Sequence, residues 1–219
     1  MRTRLAACAV TLLVIAPVHL GAGVVTGIVR TVASAGIAPA TAIVYAEPID
    51  AAAPRAPRRL TLAQKNKTFQ PRVLAVPPGS TVDFPNNDGI FHNVFSLSGP
   101  QPFDLGLYRA GESRTRTFAT PGTYRVFCNI HPQMSAVIVV APSAFTTLAS
   151  ADGRFTLDLP PGRYRLTALS ERASPVSVEI AITEGASAAP ELRLDESAWV
   201  FATHKNKFGQ DYPAAAYPN

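Results

Sequence analysis

The chain has 219 residues, of which 47% are hydrophobic and 16% charged, with a formal net charge of +5. That length suits one large or two small domains, each with a buried core. So mild a charge gives no nucleic-acid signal; a solvated face explains the clustered Arg55, Arg58, Arg59, Lys65, Lys67 and Arg72 more cheaply than a nucleic-acid groove. The 20 Pro and 14 Gly are spread along the chain rather than blocked together. Such punctuation fits short strands joined by turns, an all-β class.

At the N-terminus, Arg2 and Arg4 precede an apolar run from Leu5 to Leu20, and the small residues Gly21, Ala22 and Gly23 follow. Residues 1–23 therefore read as an export signal. The alternative is an uncleaved anchor: the run to Val25 is near the spanning minimum of roughly 17–20 residues, but Pro17 and His19 weaken it. Either way the remainder is exported, and a periplasmic location is expected. Cleavage would remove Met1, Cys8 and His19, leaving one Cys, one Met and three His. A lone cysteine cannot form an internal disulfide, and a free thiol in an oxidising compartment is a hazard unless something occupies it.

Gly27-Ile28-Val29 and Pro39 to Val44 have strand character, and Ala51 to Pro57 reads as a linker. Phe69 to Gly79 predicts a strand and a turn. Ser80 to Phe84 alternates, with Val82 and Phe84 on one face, and Asn86 to Gly89 is a loop before a strand over 90–96. This spacing is that of a β-sandwich. Pro121-Gly122 supplies a turn, after which Tyr124, Val126 and Cys128 alternate onto one face. Pro132 is expected to interrupt pairing, and Ser135 to Val140 reads as a strand buried on both faces. Further on, Phe155, Leu157 and Leu159 alternate, then Tyr164 and Leu166. Residues 196–219 form a polar tail in which His204-Lys205-Asn206-Lys207 echoes Gln64-Lys65-Asn66-Lys67.

The chemistry concentrates in Cys128-Asn129-Ile130-His131-Pro132-Gln133-Met134, which holds the only Cys and the only Met left after cleavage. Thiolate with imidazole selects copper, zinc or iron, and Met134 argues against zinc, which very rarely takes a thioether. Two His and one Cys in a plane with a weak axial Met is the blue-copper arrangement. The remaining ligand comes from His92 or His204. His92 lies between two expected core strands and His204 in the polar tail, so His92 is the choice. Singly, each residue has a bland reading: a buried inert thiol, a hydrogen-bonded core histidine, a packed methionine.

Phe69-x-Pro71, Pro78-Gly79-Ser80-Thr81-Val82-x-Phe84, Asn87-Asp88, His92-Asn93-Val94, Pro121-Gly122-x-Tyr124 and Cys128-x-x-His131-Pro132-x-Met134 together resemble a cupredoxin of the plastocyanin and amicyanin kind. The short Cys-to-Met loop is most similar to that of amicyanin, and exported methylamine-utilisation or plastocyanin-like proteins are a narrower likeness. The resemblance implies a Greek-key β-sandwich over 57–142 and one mononuclear type 1 copper. His92, Cys128 and His131 would lie in the plane, with Met134 axial. It implies that Asn93 ties the ligand loops together, and that His131 and Pro132 form the docking point for a partner, with Ile90, Phe91 and Leu97 around them. Residues 150–166 resemble the second half of a carboxypeptidase-regulatory-like domain, a small transthyretin-like sandwich. Gly27-Ile28-Val29 and Pro39 to Val44 would supply its first half, so residues 24–49 and 143–195 are expected to build one sandwich interrupted by the cupredoxin; the alternative is a plain tandem in which 24–49 add strands to the cupredoxin.

The function implied is one-electron transfer. Four protein ligands leave no open coordination position, so catalysis at the metal is not expected. Partners implied by the resemblance are a c-type cytochrome or a quinoprotein dehydrogenase, with no nucleic acid, and a membrane only through an uncleaved N-terminus. The alternatives are a copper carrier or sequestering protein that delivers metal to an exported enzyme, and an adhesion or scaffold protein in which copper is incidental.

Overall fold

A computed structural model describes residues 23–213, so the export-signal expectation lies almost wholly outside the described residues. Every regular element among the described residues is a strand. Two come first, β1 (Gly23–Ala33) and β2 (Ile43–Pro48). The middle of the chain forms β3 (Arg59–Thr61), β4 (Ala63–Lys65), β5 (Thr68–Gln70), β6 (Val73–Val76), β7 (Ser80–Pro85), β8 (His92–Ser96), β9 (Phe103–Tyr108), β10 (Ser113–Phe118), β11 (Gly122–Cys128) and β12 (His131–Val140). The rest forms β13 (Thr146–Leu148), β14 (Arg154–Leu159), β15 (Gly162–Leu169), β16 (Val176–Ile182), β17 (Ala186–Ala188) and β18 (Leu192–Glu196).

In the middle stretch a five-stranded sheet runs β6-β12-β11-β8-β9, and a three-stranded sheet runs β10-β7-β3. Their inward side chains share one core, with Val82 and Phe84 from β7, Phe118 from β10, Tyr124 and Val126 from β11, and Ala136, Ile138 and Val140 from β12. The strict alternation of β7 and β11 produces this, since a period of two places every second side chain on one face. The outer segments form two further sheets. In one, β14 pairs antiparallel with β1, while β17 and β18 pair parallel with successive halves of β1. The other runs β13-β2-β15-β16. Among the described residues, every sheet partner of β1 and β2 lies in β13 to β18. These two sheets enclose a second core built on Val25, Val44, Phe155, Leu157, Leu166 and Leu194. Gly27 stands opposite Phe155, and a Cβ there would lie 2.4 Å from the Phe155 ring, so only glycine lets the ring cross β1.

The two sandwiches meet along a small apolar seam of Ile43, Val73, Val137, Val139 and Leu169. The seam accounts for a strand apolar on both faces. Ala136, Ile138 and Val140 face the copper-motif core, and Val137 and Val139 face the other sandwich.

Pro132 interrupts the pairing, as expected, but does not end the strand, which runs from His131 to Val140. The ladder between β11 and β12 runs down to Phe127↔Ser135 and then jumps to Cys128↔His131. Residues 132–134 are therefore bulged out of register, which suits a residue with no N–H to give to a ladder.

Candidate metal centre

Alternation along β11 turns Cys128 to the core, where it is fully buried. His92 opens β8, also fully buried, and His131 opens β12, partly exposed. Their donor atoms converge. Cys128 Sγ lies 3.8 Å from His92 Nδ1 and 3.7 Å from His131 Nδ1, and the two nitrogens are 3.1 Å apart. Donors bound at about 2.0–2.3 Å to one small ion stand roughly 3–4 Å from each other, so this triangle fits a single transition-metal ion. Among the described residues it is the one grouping of three His, Cys, Asp or Glu donors close enough to hold a metal.

Two of the donors, His92 and Cys128, are oriented from outside. The Nε2–H of His92 donates to Asp88 Oδ2 at 2.8 Å. That fixes the tautomer and leaves the Nδ1 lone pair facing the triangle. Asp88 is itself held by the backbone N–H groups of Asn66 at 2.6 Å and Lys67 at 2.9 Å. Those two residues form the turn between β4 and β5 and both have positive φ, 56° and 52°. Two successive left-handed residues make the type I′ hairpin turn and aim two amides the same way. Burial alone would raise the Asp88 carboxyl, but these amides and His92 bring it below its ordinary value.

On the other side the backbone N–H of Asn93 points at Cys128 Sγ, 3.5 Å away. The Asn93 side chain accepts from the Asn129 N–H at 3.3 Å and donates to Asp104 Oδ1 at 2.7 Å. It thereby joins the His92 strand to the Cys128 loop. Burial pushes the Cys128 thiol up, against the pull of the Asn93, Ile130 and His131 amides. A bound metal would have to displace the thiol proton. Burial, with His92 and Lys67 nearby, holds His131 below its ordinary value and favours the neutral, ligating imidazole. Met134 is fully buried in the same core cluster as Cys128.

Comparison with known proteins bears on this geometry. Residues 58–141 match the profile of the copper binding proteins of the plastocyanin/azurin family. The chain is 32% identical over 72 residues to plastocyanin of Ulva arasakii, covering 29% of this chain and 74% of that protein. This chain belongs to that copper-binding family. It is also 32% identical over 75 residues to amicyanin-alpha of Methylorubrum extorquens, covering 33% of this chain and 63% of that protein, short of two-thirds of the relative's length. Among solved structures, the Cu-containing nitrite reductase of Thermus scotoductus is 31% identical with a TM-score of 0.36, covering 43% of this chain and 25% of that one.

The all-β cupredoxin expectation therefore holds for the middle of the chain, and copper is the metal of its family. Two details of the docking expectation need correction. Pro132 is buried rather than presented at the surface, and its carbonyl lies 2.7 Å from His204 Nε2. Leu97 lines a cavity beneath the C-terminal tail together with Phe127 and Pro132, on the tail's side of the loop. The exposed apolar residues next to ligands in sequence are Ile90, Phe91 and Ile130. His204 is not in the donor triangle; its ring stacks on Phe127 with centroids 3.8 Å apart. Asp88, Asp104, Asn129 and Lys207 were not singled out by the sequence as site residues. Asp88 alone left a signal, as the carboxylate four residues before His92 in a Gly-containing loop.

Proposed function

We propose that the protein is a type 1 copper electron carrier with one mononuclear ion, held by His92, Cys128 and His131 with Met134 as axial ligand. The observation that carries this reading is the donor triangle with edges of 3.1, 3.7 and 3.8 Å. Two of its corners are fully buried, and it is braced by Asp88 and Asn93. Thiolate and imidazoles suit copper, and copper held there would supply a one-electron couple. Asp88 and Asn93 would hold the donor residues in place as a bound ion changed oxidation state. A full set of protein ligands leaves no position for a substrate, so this reading is a carrier and not an enzyme.

In this reading residues 1–23 serve as an export signal and the carrier works in the periplasm. Electrons enter and leave at the partly exposed edge of His131, where Ile90, Phe91 and Ile130 offer an apolar surface to a c-type cytochrome or a quinoprotein dehydrogenase. Such redox encounters use small, transient interfaces. In the same reading the cupredoxin is a domain inserted into a regulatory-like sandwich built from 24–49 and 143–195.

The test is stopped-flow mixing of the copper-loaded protein with reduced cytochrome c. Fast, reversible one-electron exchange is expected, slowed at least tenfold by Phe91→Glu. Copper that is lost to the solution before any exchange would overturn the carrier reading in favour of metal delivery.

A further inference from the structure

After β18 the chain leaves the outer sandwich and crosses to the cupredoxin. The start of this crossing is pinned: Trp199 N–H donates to Glu196 O at 3.0 Å, and the Arg172 guanidinium lies 4.3 Å from the Trp199 ring centroid. The tail then meets the loop that carries Cys128 and His131 at four places. The His204 ring stacks on Phe127 at an interplanar angle of 14°, and its Nε2–H donates to Pro132 O at 2.7 Å. Lys207 N–H donates to Asn129 Oδ1 at 2.9 Å. The Tyr212 hydroxyl donates to Cys128 O at 3.4 Å.

Lys207 also closes a ring of hydrogen bonds. Its Nζ donates to Asp104 Oδ2 at 2.8 Å, and Asp104 Oδ1 accepts from Asn93 Nδ2 at 2.7 Å. Asn93 Oδ1 accepts from Asn129 N–H at 3.3 Å, and Asn129 Oδ1 returns to Lys207. Asn93, whose amide faces Cys128 Sγ, thus sits in a circuit with one corner supplied by the tail. Burial would raise the Asp104 carboxyl, but Lys207 heads the hydrogen bonds that bring it below its ordinary value.

The repeated Lys-Asn-Lys acquires a physical meaning here. Lys67 N–H donates to the Asp88 side chain in the His92 loop, and Lys207 N–H donates to the Asn129 side chain in the Cys128 loop, both at 2.9 Å. Each turn presents a backbone amide to a side-chain oxygen on a ligand-bearing loop.

We infer that residues 204–212 are a positioning strap, which holds the 128–134 loop ready for the metal as the β4–β5 turn holds the His92 loop. The strap touches backbone and outer side chains of the loop and leaves the donor atoms to the metal. It lowers the ordering cost of binding, because a bulged, proline-containing loop is already fixed before the ion arrives. The inference rests on the copper reading only for its effect on the metal; its effect on the loop stands without copper.

The experiment compares the full chain with a truncation after Val200, which keeps the pinned Trp199, and with Lys207→Met and Lys207→Arg. Amide hydrogen exchange is measured on the metal-free proteins, then copper transfer to a chelator and the reduction potential on the loaded ones. Exchange at Asn129 and His131 should quicken at least tenfold in the truncation, with β15 and β16 unchanged. Copper transfer should quicken by a similar factor. Lys207→Met should lower the potential by loosening the Asn93 amide on the thiolate, and Lys207→Arg should restore it. Loop exchange, copper transfer and potential all unchanged would overturn the strap, as would exchange that quickens equally in β15 and β16. If the full chain binds no copper, the copper reading fails, while the exchange comparison still decides the strap.

Discussion

In the outer sandwich the buried carboxylate of Glu196 is answered by other groups: Ser170 donates its hydroxyl to Oε1 at 2.5 Å, and Ala40 N–H donates to Oε2 at 3.0 Å. In the cupredoxin the buried polar atoms of Cys128 and His92 face one another and His131 instead. Buried polar groups are normally satisfied by ordinary donors and acceptors, as around Glu196. Three lone-pair donors turned inward on one point, with His92 and Cys128 held from outside by Asp88 and Asn93, would be satisfied by a cation. Both regions are all-β sandwiches with apolar cores of alternating side chains, so the fold alone would not tell them apart. The direction in which buried polar atoms point does.

The largest effect expected on this comparison is from Cys128→Ala. It should abolish any visible copper chromophore while the protein stays folded, read by absorption and circular dichroism; a coloured variant would sink the ligand assignment. Next is Leu166→Ala in the outer core, where the side chain is fully buried. It should cost about 2–5 kcal/mol in denaturant unfolding and leave the copper band of the folded protein in place. A changed band would mean that the outer sandwich shapes the site directly. Asp88→Asn should weaken copper binding by about 10–100-fold in a competition titration, since the carboxylate behind a ligating imidazole raises its basicity. An unchanged affinity would reduce Asp88 to a loop residue. The smallest effect is from Met134→Gln: colour should persist and the potential should fall, because the axial ligand tunes it. An unmoved potential would remove Met134 from the site.

The site's inner residues were legible in the sequence because they are local or periodic. The spacing of Cys128, His131 and Met134 is visible in seven residues, and alternation from Tyr124 predicts that Cys128 points inward. His92 followed from its place between core strands. What holds these residues was not legible. Lys207 reaches Asp104 across 103 positions and Asn129 across 78, and no local pattern encodes such a contact. The same limit explains Pro132. Its ring announces an interruption, but only the pairing of Cys128 with His131 beyond it shows that the chain bulges and then resumes. Parallel pairing of β17 and β18 along β1 is likewise not encoded locally, since partners so far apart in sequence are set by the assembled core.

The most direct test of the account is a Cu(II) titration of the protein, followed by visible absorption and electron paramagnetic resonance. The account predicts saturation at one copper per chain, an intense thiolate-to-copper band and narrow copper hyperfine splitting. A protein that binds no copper, or holds it without colour, would contradict the claim that Cys128, His92 and His131 converge to share one ion.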